Sequence, residues 1–162
     1  MASAIGPVLE ALYAGERERA EELGAGTELD VFEAAALGAA PRLEELLAAD
    51  PALARSWSPD GFTALHYAAF FGSPEAVRLL LDAGADLEAP ARNGQFAPEA
   101  RPLHSAVAAG RADNAEALLE AGADPNARQH EGFTPLMAAE RGGDLELAEL
   151  LIRHGAQAGG GA

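Results

Sequence analysis

Apolar positions along the chain recur at spacings of three and four within short blocks, and the blocks themselves recur. Leu65, Ala68 and Ala69 fall on one helical face of the segment 64 to 71, and Ala76, Val77, Leu79, Leu80 and Leu81 form a wide apolar stripe just after it. The same text returns in DGFTALHYAAFFGSPEAVRLLLDAGADLEA (60–89), RPLHSAVAAGRADNAEALLEAGADPNA (101–127) and EGFTPLMAAERGGDLELAELLIRHGAQ (131–157). Leu103 to Leu136 is 33 residues and Leu65 to Leu103 is 38, with the extra five in one loop around Asn93 to Arg101. Further back, DVFEAAALGAAPRLEELLAADPALAR (30–55) fits at an offset of 34, placing Val31 on Leu65 and Gly38 on Gly72. A fixed period of this length marks a stack of repeated units.

Each unit reads as helix, tight turn, helix, loop. Thr63 precedes the first helix of its unit as an N-cap, and Gly72 ends that helix with access to positive φ. Pro74 opens the next helix, where a missing N–H costs nothing. Gly84, Gly122 and Gly155 close second helices as left-handed caps, and Asp50-Pro51 stops the equivalent helix in the first full unit. Helices of about nine residues are too short to persist alone, so each pair must bury its faces against its neighbours. The pattern predicts an all-α helical repeat solenoid of about five helix pairs with connecting β-hairpin-like loops.

The first 28 residues carry a fainter echo, PVLEALYAG followed by ERERAEELG, with Gly15 only 23 residues before Gly38. That spacing leaves no room for a connecting hairpin and suits a polar cap on the stack. The expected division is a capping helix pair over 1–28, repeats over 29–59 and 60–92, a repeat with an inserted hairpin over 93–130, a last repeat over 131–157 and a flexible tail over 158–162.

Gly61-Phe62-Thr63-Ala64-Leu65-His66, Thr134-Pro135-Leu136 and Gly122-Ala123-Asp124-Pro125-Asn126-Ala127 together resemble the ankyrin repeat, in its helix-start and loop-entry motifs. The resemblance covers 30–157 well and 1–28 weakly. It departs at Val31-Phe32-Glu33, at Met137 in place of histidine, and at Arg101 where threonine is expected, which leaves the first helix of that unit without its capping side chain. The resemblance implies that His66 and His104 tie neighbouring loops together by hydrogen bonds. It also implies that hairpin tips, and residues just before the inter-helix glycine, face a concave binding side.

Composition narrows the function. The formal charge is −15, from 26 acidic and 11 basic residues, which argues against nucleic acid and against an anionic membrane surface. There is no cysteine, no basic-then-apolar leader and no run of about 18 apolar residues, so the cytoplasm is the expected compartment. About a quarter of the chain is alanine and every basic residue is arginine, a bias expected of a GC-rich, bacterial genome. The acidity sits on second helices, for example Glu18, Glu21, Glu44, Glu45, Glu75, Asp82, Glu116, Glu120, Glu146 and Glu149, and reads as a solvated face. The three hairpins carry Arg55, Arg92, Arg101 and Arg128 against Asp60, Glu99 and Glu131, and are close to neutral.

No HExxH, GxSxG, P-loop or calcium-loop pattern occurs, and His130 and His154 stand alone. Neither a catalytic residue nor a cofactor or metal is expected. Aromatic residues make up only 6 % of the chain, yet Trp57, Phe62, Tyr67, Phe70 and Phe71 cluster in or just before one unit, with Phe96 and Phe133 at later fingers. Such side chains dominate binding hot spots. The leading expectation is a monomeric, non-enzymatic protein-interaction module that binds a partner protein through the concave face and hairpin fingers, as regulator or accessory of a bacterial enzyme. Its expected binding residues are Trp57, Phe62, Phe70, Phe71, Arg92, Phe96 and Phe133. The alternative is an enzyme or small-molecule binder with its site in the enlarged 91–101 hairpin, which a deep pocket with convergent polar groups would favour.

Overall fold

The computed structural model describes residues 4–158, so all but the first residue of the expected 158–162 tail lies outside the described residues. Ten short helices follow one another: α1 (Pro7–Tyr13), α2 (Arg17–Ala25), α3 (Val31–Leu37), α4 (Ala40–Ala49), α5 (Ala64–Phe71), α6 (Pro74–Asp82), α7 (Pro102–Ala108), α8 (Ala112–Glu120), α9 (Pro135–Arg141) and α10 (Leu145–Arg153). Two short 3-10 segments, Pro51–Arg55 and His130–Gly132, lie in the connections.

The first helices of the units, α3, α5, α7 and α9, pack side by side in that order, and the second helices α4, α6, α8 and α10 form a parallel row behind them. The α1–α2 pair stands at the α3 end and touches it. Leu65, Leu103 and Leu136 of the first row and Leu43, Leu80, Leu118 and Leu151 of the second are fully buried. Ala34, Ala35, Ala68, Ala69 and Ala106 are buried between first-row helices, where small side chains let the backbones approach. The alanine excess thus has a packing consequence as well as a compositional one.

Helix starts follow local side-chain chemistry. Asp30 Oδ1 accepts from the Glu33 amide at 2.9 Å while Glu33 Oε2 accepts from the Asp30 amide at 3.0 Å, a reciprocal box on α3. Ser73, Thr134 and Asp144 accept from the amides of Ala76, Met137 and Leu147. Arg101 has no acceptor to offer α7, and only the returning half of its box is made, the Arg101 amide donating to His104 Nδ1 at 3.0 Å.

Gly72 departs from the expectation of positive φ. Its φ is −88°, and the residue is glycine because a Cβ there would lie 2.3 Å from the Ala35 carbonyl oxygen and 2.9 Å from Ala68. Close approach of α3 and α5, not backbone sign, excludes a side chain. Gly84, by contrast, has φ +97° with open space around it, as a left-handed helix end requires.

The loops project as fingers that bond to one another edge to edge. Each is closed by one or two bonds rather than by a ladder: Ser58 N to Phe62 O at 2.8 Å, Ala91 N to Ala100 O at 2.8 Å with Glu99 N to Ala91 O at 3.1 Å, and Gln129 N to Phe133 O at 2.9 Å. Among the described residues the β pairing is one isolated antiparallel bridge, Trp57 with Thr63. Arg92 N donates to Gly61 O at 2.8 Å and His130 N to Pro98 O at 3.1 Å, which links the first finger to the second and the second to the third.

Candidate functional site

Two buried histidines hold this row of fingers over the first-row helices. Thr63 N–H donates to His66 Nδ1 at 3.2 Å, which leaves the proton on Nε2 to be donated to Ala100 O at 2.8 Å. His104 repeats the arrangement one unit on, with Nε2 at 3.1 Å from Ala127 O and 3.3 Å from Phe133 O. Burial lowers both imidazoles to about 4, so both are neutral at pH 7. Their nitrogens are fully engaged in loop contacts, and among the described residues no group of three or more His, Asp or Glu side chains is placed to hold a metal ion.

Between the fingers and the helices lies a hollow of about 670 Å³, where a regular repeat stack presents an open concave face. The insertion explains the difference. Asn93 Oδ1 accepts from the amides of Gln95 and Phe96 at 3.0 and 2.9 Å, turning the chain, and Asn93 Nδ2 donates to Asp60 O at 2.9 Å, pinning the turn to the preceding finger. The extra residues therefore extend one wall, with Phe96 at its rim, 83 % exposed.

Phe62, Phe70, Phe71 and Phe96, four of the expected binding residues, line this hollow. Only Phe70 and Phe96 among them are exposed; Phe62 and Phe71 are half-buried and pack against the core. The other three lie outside its lining. Trp57 is half-buried and stacks under the Arg92 guanidinium, 3.9 Å from the ring centroid. Phe133 is half-buried beneath Arg141 at 4.5 Å and borders a separate, smaller depression.

The expected binding residues leave out Tyr13, Asp60 and Tyr67, of which only Tyr67 was part of the aromatic cluster, and all three line the hollow. Tyr13 stands two residues before Gly15 as Phe70 stands two before Gly72, so aligning the faint first unit would have found it. Tyr67 is buried and sits edge-on to Phe62 at 6.0 Å, and Tyr13 sits edge-on to Phe71 at 5.5 Å. The Tyr67 hydroxyl and the Ser58 hydroxyl donate to Asp60 Oδ1, and the Tyr13 hydroxyl donates to Asp60 Oδ2 at 2.8 Å. Burial pushes both phenols well above their usual range, so they stay protonated as donors. The acidic side chains of the second helices are exposed on the far side of the stack.

A sequence profile described as ankyrin repeats (three copies) matches residues 31–129 and 103–160. The Neurogenic locus Notch protein of Drosophila melanogaster is 40 % identical over 100 residues, 61 % of this chain and 4 % of that protein. The B-cell lymphoma 3 protein homolog of Mus musculus is 39 % identical over 101 residues, 62 % of this chain and 21 % of its own length. A protein of Oryza sativa subsp. japonica named "Probable E3 ubiquitin-protein ligase XBOS31" is 38 % identical over 140 residues, 82 % of this chain and 29 % of its own length. The chain thus spans less than a third of each of these relatives. The profile covers more than half of the chain, its helix pairs stack in two rows, and its histidines tie finger to finger: the chain belongs to the ankyrin repeat family.

Proposed function

We propose that the chain is a non-enzymatic interaction module that binds another protein across the finger-bearing concave face, as regulator or accessory of an enzyme. The observation that carries this reading is the exposure of Phe70 and Phe96 on that face, in a chain whose second-row helices, behind that face, carry many of its exposed carboxylates. Large aromatic side chains held on rigid elements lose little entropy on binding and are the usual hot-spot residues. Phe62 and Phe71 back them from below, and Trp57 with Arg92 and Phe133 with Arg141 extend the face along the fingers. Residues 1–28 act in this reading as a cap on the stack and as one wall of the face.

The test is capture of a partner by the tagged chain, followed by affinity measurement on variants. Phe70→Ala with Phe96→Ala is expected to weaken the complex by at least about 2 kcal/mol, the usual hot-spot threshold, with helical circular dichroism unchanged. Trp57→Ala with Phe62→Ala is expected to weaken it as much, with some loss of stability because Phe62 also packs on the core. Glu75→Gln with Asp82→Asn is expected to leave it nearly unchanged. Abolition by the acidic pair alone would place the binding face on the other side of the molecule.

The hollow itself is a specific observation in favour of the second reading, a small-molecule site under the enlarged 91–101 hairpin. Its polar groups, Asp60, Asn93 and Gln129, converge on an otherwise apolar space.

A further inference from the structure

Asp60 is the one charged side chain lining the hollow among the described residues, because the two histidines that share it are held neutral by burial. The carboxylate is fixed by three hydroxyls, from Ser58, Tyr13 and Tyr67, which stabilise its charge without cancelling it. None of the ion pairs formed among the described residues includes Asp60. Three arginines bonded to or stacked on neighbouring residues are committed there: Arg92 lies over Trp57, and Arg17 and Arg111 both donate to the Phe71 carbonyl oxygen.

Around this anion stand six aromatic rings, those of Tyr13, Phe62, Tyr67, Phe70, Phe71 and Phe96. The face of an aromatic ring is the negative end of its quadrupole, so rings and carboxylate favour the same occupant, a cation whose hydration is weak enough to shed. An anion is repelled twice over, by Asp60 and by the −15 charge of the chain. Size then selects between a partner's side chain and a free ligand. A hollow of about 670 Å³ is several times the volume of one arginine or lysine side chain and lies in the range of small-molecule pockets.

We propose that this hollow is a binding site for a free organic cation with a bulky apolar body, its charged centre held beside Asp60 and against the Tyr13 and Phe71 rings. The aromatic rim at Phe70 and Phe96 covers the body. Arg92 and Trp57 take no part.

Calorimetric titration of the whole chain with tetraphenylphosphonium and with tetraphenylborate, ions of one shape and opposite charge, tests this at about 150 mM salt, where charges beyond about 8 Å are screened. One site for the cation is expected, with the anion bound at least about tenfold more weakly. Asp60→Asn is expected to weaken the cation by about tenfold, while Glu75→Gln with Asp82→Asn, which removes more charge but far away, changes nothing. Phe96→Ala, at an exposed position that does not bear on folding, is expected to weaken both ions and leave the melting temperature in place, which keeps the test decisive if Asp60→Asn is unstable. Equal binding of the two ions, several weak sites, or indifference to Phe96→Ala overturns the proposal. So does a blocked pentapeptide with one arginine between two phenylalanines that binds more tightly than tetraphenylphosphonium, because the site then belongs to a peptide. None of these outcomes touches the protein-interaction reading, which is decided on a captured partner.

Discussion

The Tyr13 hydroxyl donates to Asp60 Oδ2 at 2.8 Å, joining the first helix pair to a finger 47 residues away in the chain. The same carboxylate receives the Tyr67 hydroxyl from the floor of the hollow. Asp60 therefore fastens the first helix pair, its own finger and α5 to one another. Tyr13 is 49 % exposed, so water can replace its partner, whereas Tyr67 is buried at 2 %. Tyr13→Phe is expected to cost about 0.5–1 kcal/mol in urea denaturation, as for a weak, wet hydrogen bond. Tyr67→Phe is expected to cost about 1.5–3 kcal/mol, the range for a hydrogen bond to a charged group. Equal losses for the two would show that the carboxylate is not a shared tie.

Gly72 and Gly84 give opposite predictions from the same substitution. At Gly72 an added methyl meets the rigid backbone of Ala35 and Ala68, so Gly72→Ala must push α3 and α5 apart and is expected to cost about 3 kcal/mol or more, at or beyond the upper end of ordinary overpacking. At Gly84 the methyl meets nothing and only the left-handed conformation is penalised, so Gly84→Ala is expected to cost about 1–2 kcal/mol. Thermal melts of the two variants separate a steric glycine from a conformational one.

Acid is expected to weaken the fold through its buried histidines. His66 and His104 titrate near 4 in the folded chain and near 6.5 when unfolded, so the unfolded chain binds more protons between those values. Their contribution is complete above about pH 6.5 and is lost as the pH falls toward about 4, by at most about 1.4 kcal/mol per pH unit for each histidine. Glu33 and Glu88, raised chiefly by burial, act in the opposite direction as the pH falls through the carboxylate range. Urea midpoints measured from pH 7 to pH 5 are expected to decline, and His66→Gln with His104→Gln to decline less steeply.

The two rows of helices were legible because their information is local and repeated. Leu65, Gly72 and Leu80 each have counterparts one period away, so register and burial could be read by superposition of the text on itself. Gly72 was placed correctly yet misexplained, since its clash partner, Ala35, lies on another helix and close approach leaves no mark in a single unit. The hollow was less legible still. Phe62, Phe70, Phe71 and Phe96 stood out as scarce aromatic residues, but Asp60 looked like one more carboxylate in an acidic chain. Its role depends on Tyr13, which lies in the least regular segment, and on Asn93, whose amide holds the inserted turn against the Asp60 carbonyl oxygen. Insertions and degenerate units break the period, and the same two features build the walls of the site.

That dependence makes removal of the first helix pair the most searching experiment on the fold. Val8, Leu9 and Leu12 of α1 and Ala20 of α2 are buried and belong to the same continuous core as α3. Arg17 of α2 also donates to Leu37 O and Phe71 O at 3.1 and 2.6 Å, covering carbonyl groups at the ends of α3 and α5. Deleting residues 1–28 exposes the apolar side of α3, leaves those carbonyl groups to water and strips Tyr13 and Ile5 from the hollow. Repeat stacks need a polar outer surface on their end units to stay soluble. The shortened chain is therefore expected to melt at a lower temperature and to aggregate, and to lose affinity for tetraphenylphosphonium even below its melting point. Restoring the polar surface without the hollow, by Leu37→Glu in the shortened chain, where Leu37 of α3 loses its packing on Gly24 of α2, is expected to recover solubility but not cation binding. An unchanged melt on deletion would show that the pair is not part of the stack, and cation binding that survives it would remove Tyr13 from the site.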